Sequence, residues 1–168
     1  AITAGADVCA QSTHKILGAL TQCSMLHYQG TRIDKNRLSA MLKLLQSTSP
    51  NYLFLASLDV ARMQMATLGR DLLSKTIALS QWLREEINSI PGLYCFGADK
   101  CDGLGVHGYD PTKITVTVKK LGITGIQAER ILRFEYKVQA ELSDVYNLFF
   151  FITIKKKEKT VEHLARAL

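Results

Sequence analysis

Apolar residues along this chain follow two periodicities, and near its start they predict strands. Residues 7–11 and 24–28 are short runs of small, apolar and β-branched residues bounded by polar turns, a pattern typical of strands. We expect the first to be buried and the second to be its neighbour in a sheet. The segment between them, which includes Lys15, would then lie at the carboxyl edge of a sheet, where open α/β folds bind their ligands.

Helical spacing of apolar residues follows, and it predicts three helices before residue 92. Asp34 is expected to cap the first helix, and Ser49, which precedes a proline, is expected to cap the second. The second helix is predicted to end near Gly69, and Asp71 is predicted to open a third. This long third helix would end at the Pro-Gly pair at 91–92.

The remaining residues predict a compact α+β unit. Thr124 and Gln127 have the spacing of a capping box and predict the start of a helix. No helix start follows the glycine-rich segment at 97–108, as one would in a dinucleotide-binding loop, and we interpret the segment as a flexible connection. Strands are predicted at 114–118, 138–142 and 148–154, and a closing helix at 160–168.

Composition narrows the class of protein. The chain has 168 residues, of which 47% are hydrophobic and 21% charged, as in soluble globular proteins. Its net charge is +6, but the one basic run, at 155–159, has no interleaved aromatic residues, which favours a solvated turn over a nucleic-acid site. Cysteine and histidine spacings predict no metal site. No apolar run is long enough to cross a bilayer and no signal peptide is evident, so we expect a cytoplasmic protein without a membrane partner.

Lys15 is the best candidate for covalent chemistry. It follows Ser12, Thr13 and His14 directly after the first predicted strand. A lysine amine forms a Schiff base with an aldehyde when its surroundings leave part of it neutral, and pyridoxal phosphate is the commonest such partner. Hydroxyl and imidazole groups beside the amine would suit the phosphate of that cofactor. On these residues alone, a solvated loop lysine is the alternative.

Several segments, in order along the chain, resemble the bacterial ornithine/lysine/arginine decarboxylase family. The resemblance is most specific in the lysine segment GADVCAQSTHK and in QSTSPNY. That family has the aspartate-aminotransferase-like fold of pyridoxal-phosphate enzymes, fold type I. The resembling segments are 5–15, 19–27, 46–52, 56–59, 109–113, 138–141 and 146–148.

The resemblance implies an α/β protein of two parts. Residues 1–90 would be the rear of the large cofactor-binding domain, with a mixed sheet and the long linking helix, and residues 91–168 a small α+β domain. The chain, which begins without Met, would be a fragment of a longer polypeptide. Because the ring-nitrogen aspartate and the ring-stacking aromatic residue of the family would precede Ala1, the fragment alone is expected to be inactive. A homodimer or larger homo-oligomer is also implied, since sites of this fold form at a subunit interface.

The resemblance assigns cofactor roles within the lysine segment. Lys15 would bind pyridoxal 5'-phosphate covalently. Ser12 and His14 match positions that contact the phosphate or lie against the cofactor. His14 or Lys15 would return a proton to the α-carbon of the substrate. The alternatives are a turn-capping hydroxyl for Ser12 and a packed or exposed ring for His14.

Two further segments receive roles by the same resemblance. Ser47 and Thr48 match a hydroxyl-rich segment that reaches the cofactor phosphate of the neighbouring subunit, although the same residues also suit an ordinary helix start. Glu141 matches an acidic position and would bind the distal cation of the substrate. An exposed strand glutamate is the alternative.

The implied activity is that of a lyase: decarboxylation of arginine, lysine or ornithine to CO2 and the corresponding amine, as in polyamine biosynthesis. Another fold-type-I enzyme, an aminotransferase or lyase, is one alternative, and a non-catalytic regulatory relative is another. Retention of Lys15 argues against the regulatory relative. The sequence does not select among the three basic amino acids.

Overall fold

The chain forms a mixed α/β structure, as predicted. The computed structural model describes residues 1–101 and 105–168, which form two compact units, Ala1–Arg70 and Asp71–Leu168. The boundary between the units lies within a continuous helix rather than at residue 90. The predicted division into a large and a small domain at 90/91 therefore stays a prediction.

The first unit contains one pair of strands, a short helix between them and the helices that follow. β1 and β2 are antiparallel, with Val8 opposite Tyr28 and Gln11 opposite Met25. Both strands lie where the sequence predicts them. The expectation that the first is buried is wrong: it is half-buried at its start and exposed at its end, because among the described residues it pairs only with β2. The elements are β1 (Val8–Gln11), α1 (Thr13–Ile16), β2 (Met25–Tyr28), α2 (Lys35–Leu45) and the first part of α3 (Tyr52–Ser89).

Local capping explains where α2 and α3 begin. Asp34 caps α2 as predicted, and its carboxylate accepts hydrogen bonds from the backbone N–H groups of residues 36 and 37. The predicted cap Ser49 is wrong for α3. Asn51 takes that position, because its side-chain oxygen accepts from Leu53 N at 3.0 Å and Phe54 N at 3.3 Å.

α3 runs without interruption for 38 residues, so the predicted end near Gly69 and new start at Asp71 are wrong. A Cβ at residue 69 would lie 3.0 Å from Met65 Cε, which shows that the methionine side chain folds over the glycine. A helical glycine costs only about 1 kcal/mol relative to alanine. That cost is too small to end a helix that is stabilised by packing on both sides of the glycine.

The second unit is a four-stranded antiparallel sheet with helices. β4 and β6 form its centre, with Ile114 opposite Phe150 and Val116 opposite Leu148. The strand order is β3-β4-β6-β5. After the end of α3, the elements are β3 (Tyr94–Cys95), β4 (Lys113–Thr117), α4 (Gly125–Phe134), β5 (Leu142–Ser143), β6 (Asn147–Phe151) and α5 (Glu158–Ala167).

The capping box of α4 is confirmed, whereas some predicted bounds are wrong. Thr124 Oγ1 accepts from Gln127 N, and Thr124 N donates to the Gln127 side chain. The strand predicted at 138–142 is reduced to β5, because Val138 N donates back to Leu132 O at the end of α4. β6 ends at Phe151 and α5 begins two residues earlier than predicted. Part of the predicted glycine-rich connection, Asp102, Gly103 and Leu104, lies outside the described residues.

The core of the second unit joins the sheet to its helices. Alternate residues of β4 and β6 are buried, and α3 and α5 contribute apolar side chains to the same cluster. Fully buried members are Leu83, Ile87, Cys95, Ile114, Val116, Val118, Leu148 and Val161. Within residues 1–101 and 105–168, no helix has a stretch apolar enough and long enough to cross a bilayer.

Arg84 is a buried charge that the sequence pattern does not reveal. Its guanidinium donates to Phe96 O at 2.9 Å and to Pro111 O and Lys113 O at 3.2 Å, and lies 5.2 Å from the centre of the Tyr109 ring. Three carbonyls and an aromatic face replace the water that the guanidinium loses on burial. Arg84 therefore attaches α3 to the chain on both sides of the glycine-rich segment.

Gly125 has no room for a side chain, which gives a stability prediction. A Cβ at this position would lie 2.5 Å from the carbonyl oxygens of Asp144 and Asn147. Gly125→Ala should lower the free energy of unfolding by about 1–3 kcal/mol, measured by urea denaturation, because the backbone must shift. Gly108→Ala is the control, since its Cβ would meet nothing within 4 Å. Equal midpoints for the two variants would contradict this packing.

Asp144 gives a prediction about acid stability. Its carboxylate accepts from the Asn147 side chain and from the backbone N–H groups of Tyr146 and Asn147, and these bonds lower its pKa below the ordinary 3.8. Stability from a lowered carboxyl pKa is present above the unfolded-state pKa and is lost as the pH falls through the folded-state pKa.

Asp144→Asn should therefore lose less stability than the wild type as the pH falls from 5 to about 2.5, a range that spans the ordinary carboxyl pKa. Urea midpoints measured across this range check the difference. Asp71→Asn is the control, because exposed Asp71 accepts no side-chain hydrogen bond within the described part of the chain. Parallel acid curves for wild type and Asp144→Asn would be inconsistent with the role of this carboxylate.

Candidate functional site

The lysine segment continues from β1 into α1, a single turn of helix. Lys15 is exposed on α1, and its backbone N donates to Ser12 O at 3.1 Å. Ser12 is exposed at the N-cap position, and its hydroxyl makes no capping bond. Lys15 has no ion-pair partner among residues 1–101 and 105–168. One turn thus presents an amine and a hydroxyl that are both available to a ligand.

His14 is held in one orientation by a backbone carbonyl. Its ring Nδ1 lies 2.7 Å from Cys23 O, and its backbone N donates to the same oxygen at 3.2 Å. A carbonyl can only accept, so Nδ1 carries a hydrogen. In the neutral ring, Nε2 is therefore the unprotonated nitrogen, and it is the atom through which His14 can accept or deliver a proton.

The turn at 17–23 is attached to α3. Leu20 N donates to Ser57 Oγ at 2.6 Å, and the buried Cys23 thiol donates to Phe54 O at 3.6 Å. Cys23 N also donates to Leu20 O at 3.2 Å. These supporting residues escape motif analysis, because a small hydroxyl on a helix and a thiol in a turn are common. The one sequence signal is that both lie in segments that resemble the decarboxylase family.

Ser47 and Thr48 are exposed between α2 and α3. Ser47 Oγ accepts from Ser49 N at 3.1 Å, which makes it a turn residue rather than the cap of α3. No hydrogen bond joins either hydroxyl to the lysine segment in the described part of the chain. Their contact with a cofactor across a subunit interface stays a prediction.

Glu141 belongs to the second unit, where it is exposed just before β5 and its backbone N donates to Phe149 O at 2.8 Å. On β4, which is separated from β5 by β6, Lys113 Nζ lies 3.8 Å from the centre of the Phe151 ring. Burial lowers the pKa of Lys113, and the carboxylates of Asp110 and Glu141 oppose this shift. Glu141 thus provides a solvent-accessible carboxylate beside an aromatic and basic patch of the sheet.

Metal binding has no support in the arrangement of side chains. Over the described ranges, no three His, Cys, Asp or Glu side chains are grouped so that they could hold an ion. The chemistry available is that of an amine, a hydroxyl and an oriented imidazole within four consecutive residues.

Curated relatives match the whole of this chain, but the match covers only part of each relative's own length. Arginine decarboxylase from Halalkalibacterium halodurans is 44% identical over 168 residues, which are 100% of this chain and 34% of that protein. Arginine decarboxylase from Bacillus subtilis is 41% identical over 168 residues, with the same coverage. The chain therefore spans about a third of the length of these curated relatives.

A solved structure has the same fold. The crystal structure of the Francisella novicida lysine decarboxylase LdcF matches with a TM-score of 0.78 at 26% identity. The match covers 95% of this chain and 27% of that one.

A family match includes the lysine segment and continues across both compact units. The model of the Orn/Lys/Arg decarboxylase major domain matches residues 3–160. This match confirms the resemblance on which the sequence analysis relies. The chain belongs to the Orn/Lys/Arg decarboxylase family.

Proposed function

We propose that this chain supplies the cofactor-binding lysine of a pyridoxal-phosphate-dependent decarboxylase that converts a basic amino acid to CO2 and the corresponding amine. The observation that carries the proposal is the available Lys15 amine, which lies one residue after an imidazole held by Cys23 O. Family membership supports decarboxylation of a basic amino acid. Arginine is the substrate to test first, because relatives at 41% and 44% identity carry the name arginine decarboxylase.

The side chains of the lysine segment fit pyridoxal 5'-phosphate. The cofactor requires an amine for its aldehyde and polar donors for its phosphate. Lys15 Nζ is the amine. The Ser12 hydroxyl makes no capping hydrogen bond and is therefore available as a donor to the phosphate. When bound, the cofactor supplies an electron-withdrawing ring that stabilises the carbanion left when CO2 departs.

The residues of this chain would bind and orient the reactants. Lys15 Nζ would hold the cofactor in place, and Ser12 Oγ would donate a hydrogen bond to its phosphate. His14 would lie against the cofactor with Nε2 toward the reacting atoms, because Nδ1 is engaged by Cys23 O. A proton delivered to the α-carbon of the substrate would then come from His14 Nε2 or from Lys15 Nζ.

The proposal extends to residues outside the lysine segment. Glu141 would bind the distal cation of the substrate, since a carboxylate forms strong charge-assisted hydrogen bonds with a guanidinium or an ammonium group. Ser47 and Thr48 would donate to the cofactor phosphate of a partner subunit in a homodimer. Their exposure in this chain is compatible with such a role.

Lys15→Ala tests the covalent role in the intact parent protein supplied with pyridoxal phosphate. The absorbance band of the bound cofactor near the edge of the visible range should disappear, because no amine remains at residue 15 to bind the aldehyde. The release of CO2 and agmatine from arginine should fall by about three orders of magnitude or more. Lys43→Ala, at an exposed lysine of α2, is the control and should keep the band. A persistent band in Lys15→Ala would contradict the proposal, and formation of a keto acid in place of CO2 would indicate an aminotransferase.

Glu141→Gln tests substrate recognition. Loss of the carboxylate should raise KM for arginine by about tenfold to hundredfold, with a smaller change in kcat, because a charged hydrogen bond contributes roughly 1.5–3 kcal/mol. Glu135→Gln, at an exposed glutamate after α4, serves as the control. Unchanged KM values for arginine, lysine and ornithine would remove Glu141 from the site.

A further inference from the structure

A continuous path of hydrogen bonds joins α3 to the side chain of His14. Ser57 Oγ accepts from Leu20 N at 2.6 Å, and Leu20 O accepts from Cys23 N at 3.2 Å. Cys23 O then accepts both the backbone N of His14 at 3.2 Å and ring Nδ1 at 2.7 Å. The intervening links are backbone groups, so the Ser57 hydroxyl is the side chain that fastens this path to α3.

A second attachment lies on the same face of α3. The Cys23 thiol donates to Phe54 O at 3.6 Å, and residues 54 and 57 are neighbours on one helix face. Cys23 is buried, with 3% of its surface exposed, so packing retains that end of the turn. Ser57 is half-buried and holds the other end, at Leu20. Removal of its hydroxyl would therefore loosen the turn without detaching it.

We propose that Ser57 is a positioning residue for the lysine segment. Its hydroxyl fixes the turn at 17–23, whose last carbonyl orients the His14 ring, and His14 immediately precedes Lys15. This inference rests on the proposed function, because it concerns the placement of Lys15 and His14 against the cofactor. Displacement of reacting groups by about 1 Å can cost roughly a hundredfold in rate. Partial loosening should therefore reduce kcat rather than abolish binding.

The test compares Ser57→Ala, Ser57→Thr and wild type in the intact holoenzyme. Ser57→Ala should lower kcat for arginine decarboxylation by about tenfold, which is less than the hundredfold expected for a full displacement of the reacting groups. KM should change by less than about twofold. Ser57→Ala should also change the visible circular dichroism of the bound cofactor, which reports cofactor orientation and which a stability loss alone would not alter. Ser57→Thr keeps an acceptor hydroxyl and should restore both values. Ser74→Ala is the control, because Ser74 is exposed on the same helix and makes no side-chain hydrogen bond in the described residues.

Wild-type kcat and circular dichroism in Ser57→Ala would overturn the inference, as would a Ser57→Thr variant that behaves like Ser57→Ala. Should Ser57→Ala prove too unstable to purify, Ser57→Cys replaces it; because the thiol is a weaker acceptor, kcat should be lower in Ser57→Cys than in wild type and in Ser57→Thr. A wild-type kcat in Ser57→Cys would overturn the inference. The Lys15→Ala spectrum separates the two proposals: a band that persists there refutes both, whereas a lost band together with a wild-type Ser57→Ala refutes only the role of Ser57.

Discussion

The structure depends on the uninterrupted backbone hydrogen bonding of α3, which passes through Gly69 and makes one helix part of both compact units. Its first part offers Phe54 O and the Ser57 hydroxyl to the turn that supports the lysine segment. Its last part places Leu83 and Ile87 in the core of the second unit. The helix thus combines two tasks, one polar and local to the candidate site and one apolar and structural.

The two tasks make different demands on the sequence of the helix. In the second unit, apolar spacing defines a face that packs against β4 and β6, and Arg84 attaches the same helix to the chain around the glycine-rich segment. In the first unit, large apolar side chains near the start of α3 stay exposed, with Tyr52 77% and Leu53 73% accessible. Contiguous exposed apolar residues of this kind are typical of surfaces that bind other protein. The chain spans about a third of the length of its arginine decarboxylase relatives.

Local rules predicted two of the three helix caps and failed at Ser49, whose place is taken by Asn51. Asp34 and the Thr124–Gln127 capping box needed only neighbouring N–H groups, and both caps form. The helix break at Gly69 was predicted wrongly, because the sequence gives the small intrinsic cost of a glycine but not the Met65 side chain that folds over it. The prediction of a strand over 138–142 failed for a similar reason. The backbone N of Val138 donates to Leu132 O at the end of α4, and the apolar periodicity of the sequence does not reveal this partner.

In the candidate site too, local features could be predicted and tertiary contacts could not. The lysine segment is continuous in sequence, so Ser12, His14 and Lys15 could be identified together. Cys23 and Ser57 could not be linked to it, because the Leu20–Ser57 bond joins residues 37 positions apart. Family resemblance identifies segments, whereas the bonds between segments come from the tertiary structure.

The pairing of His14 with Cys23 O has a consequence for proton transfer. Nδ1 keeps its hydrogen and its partner whether the ring is neutral or charged, since protonation adds a hydrogen only at Nε2. The supporting bond strengthens in the charged state and never has to break. The imidazole can therefore change charge without reorganisation of the backbone that holds it, which is the kind of preorganised environment that keeps the barrier to a charge-changing step low.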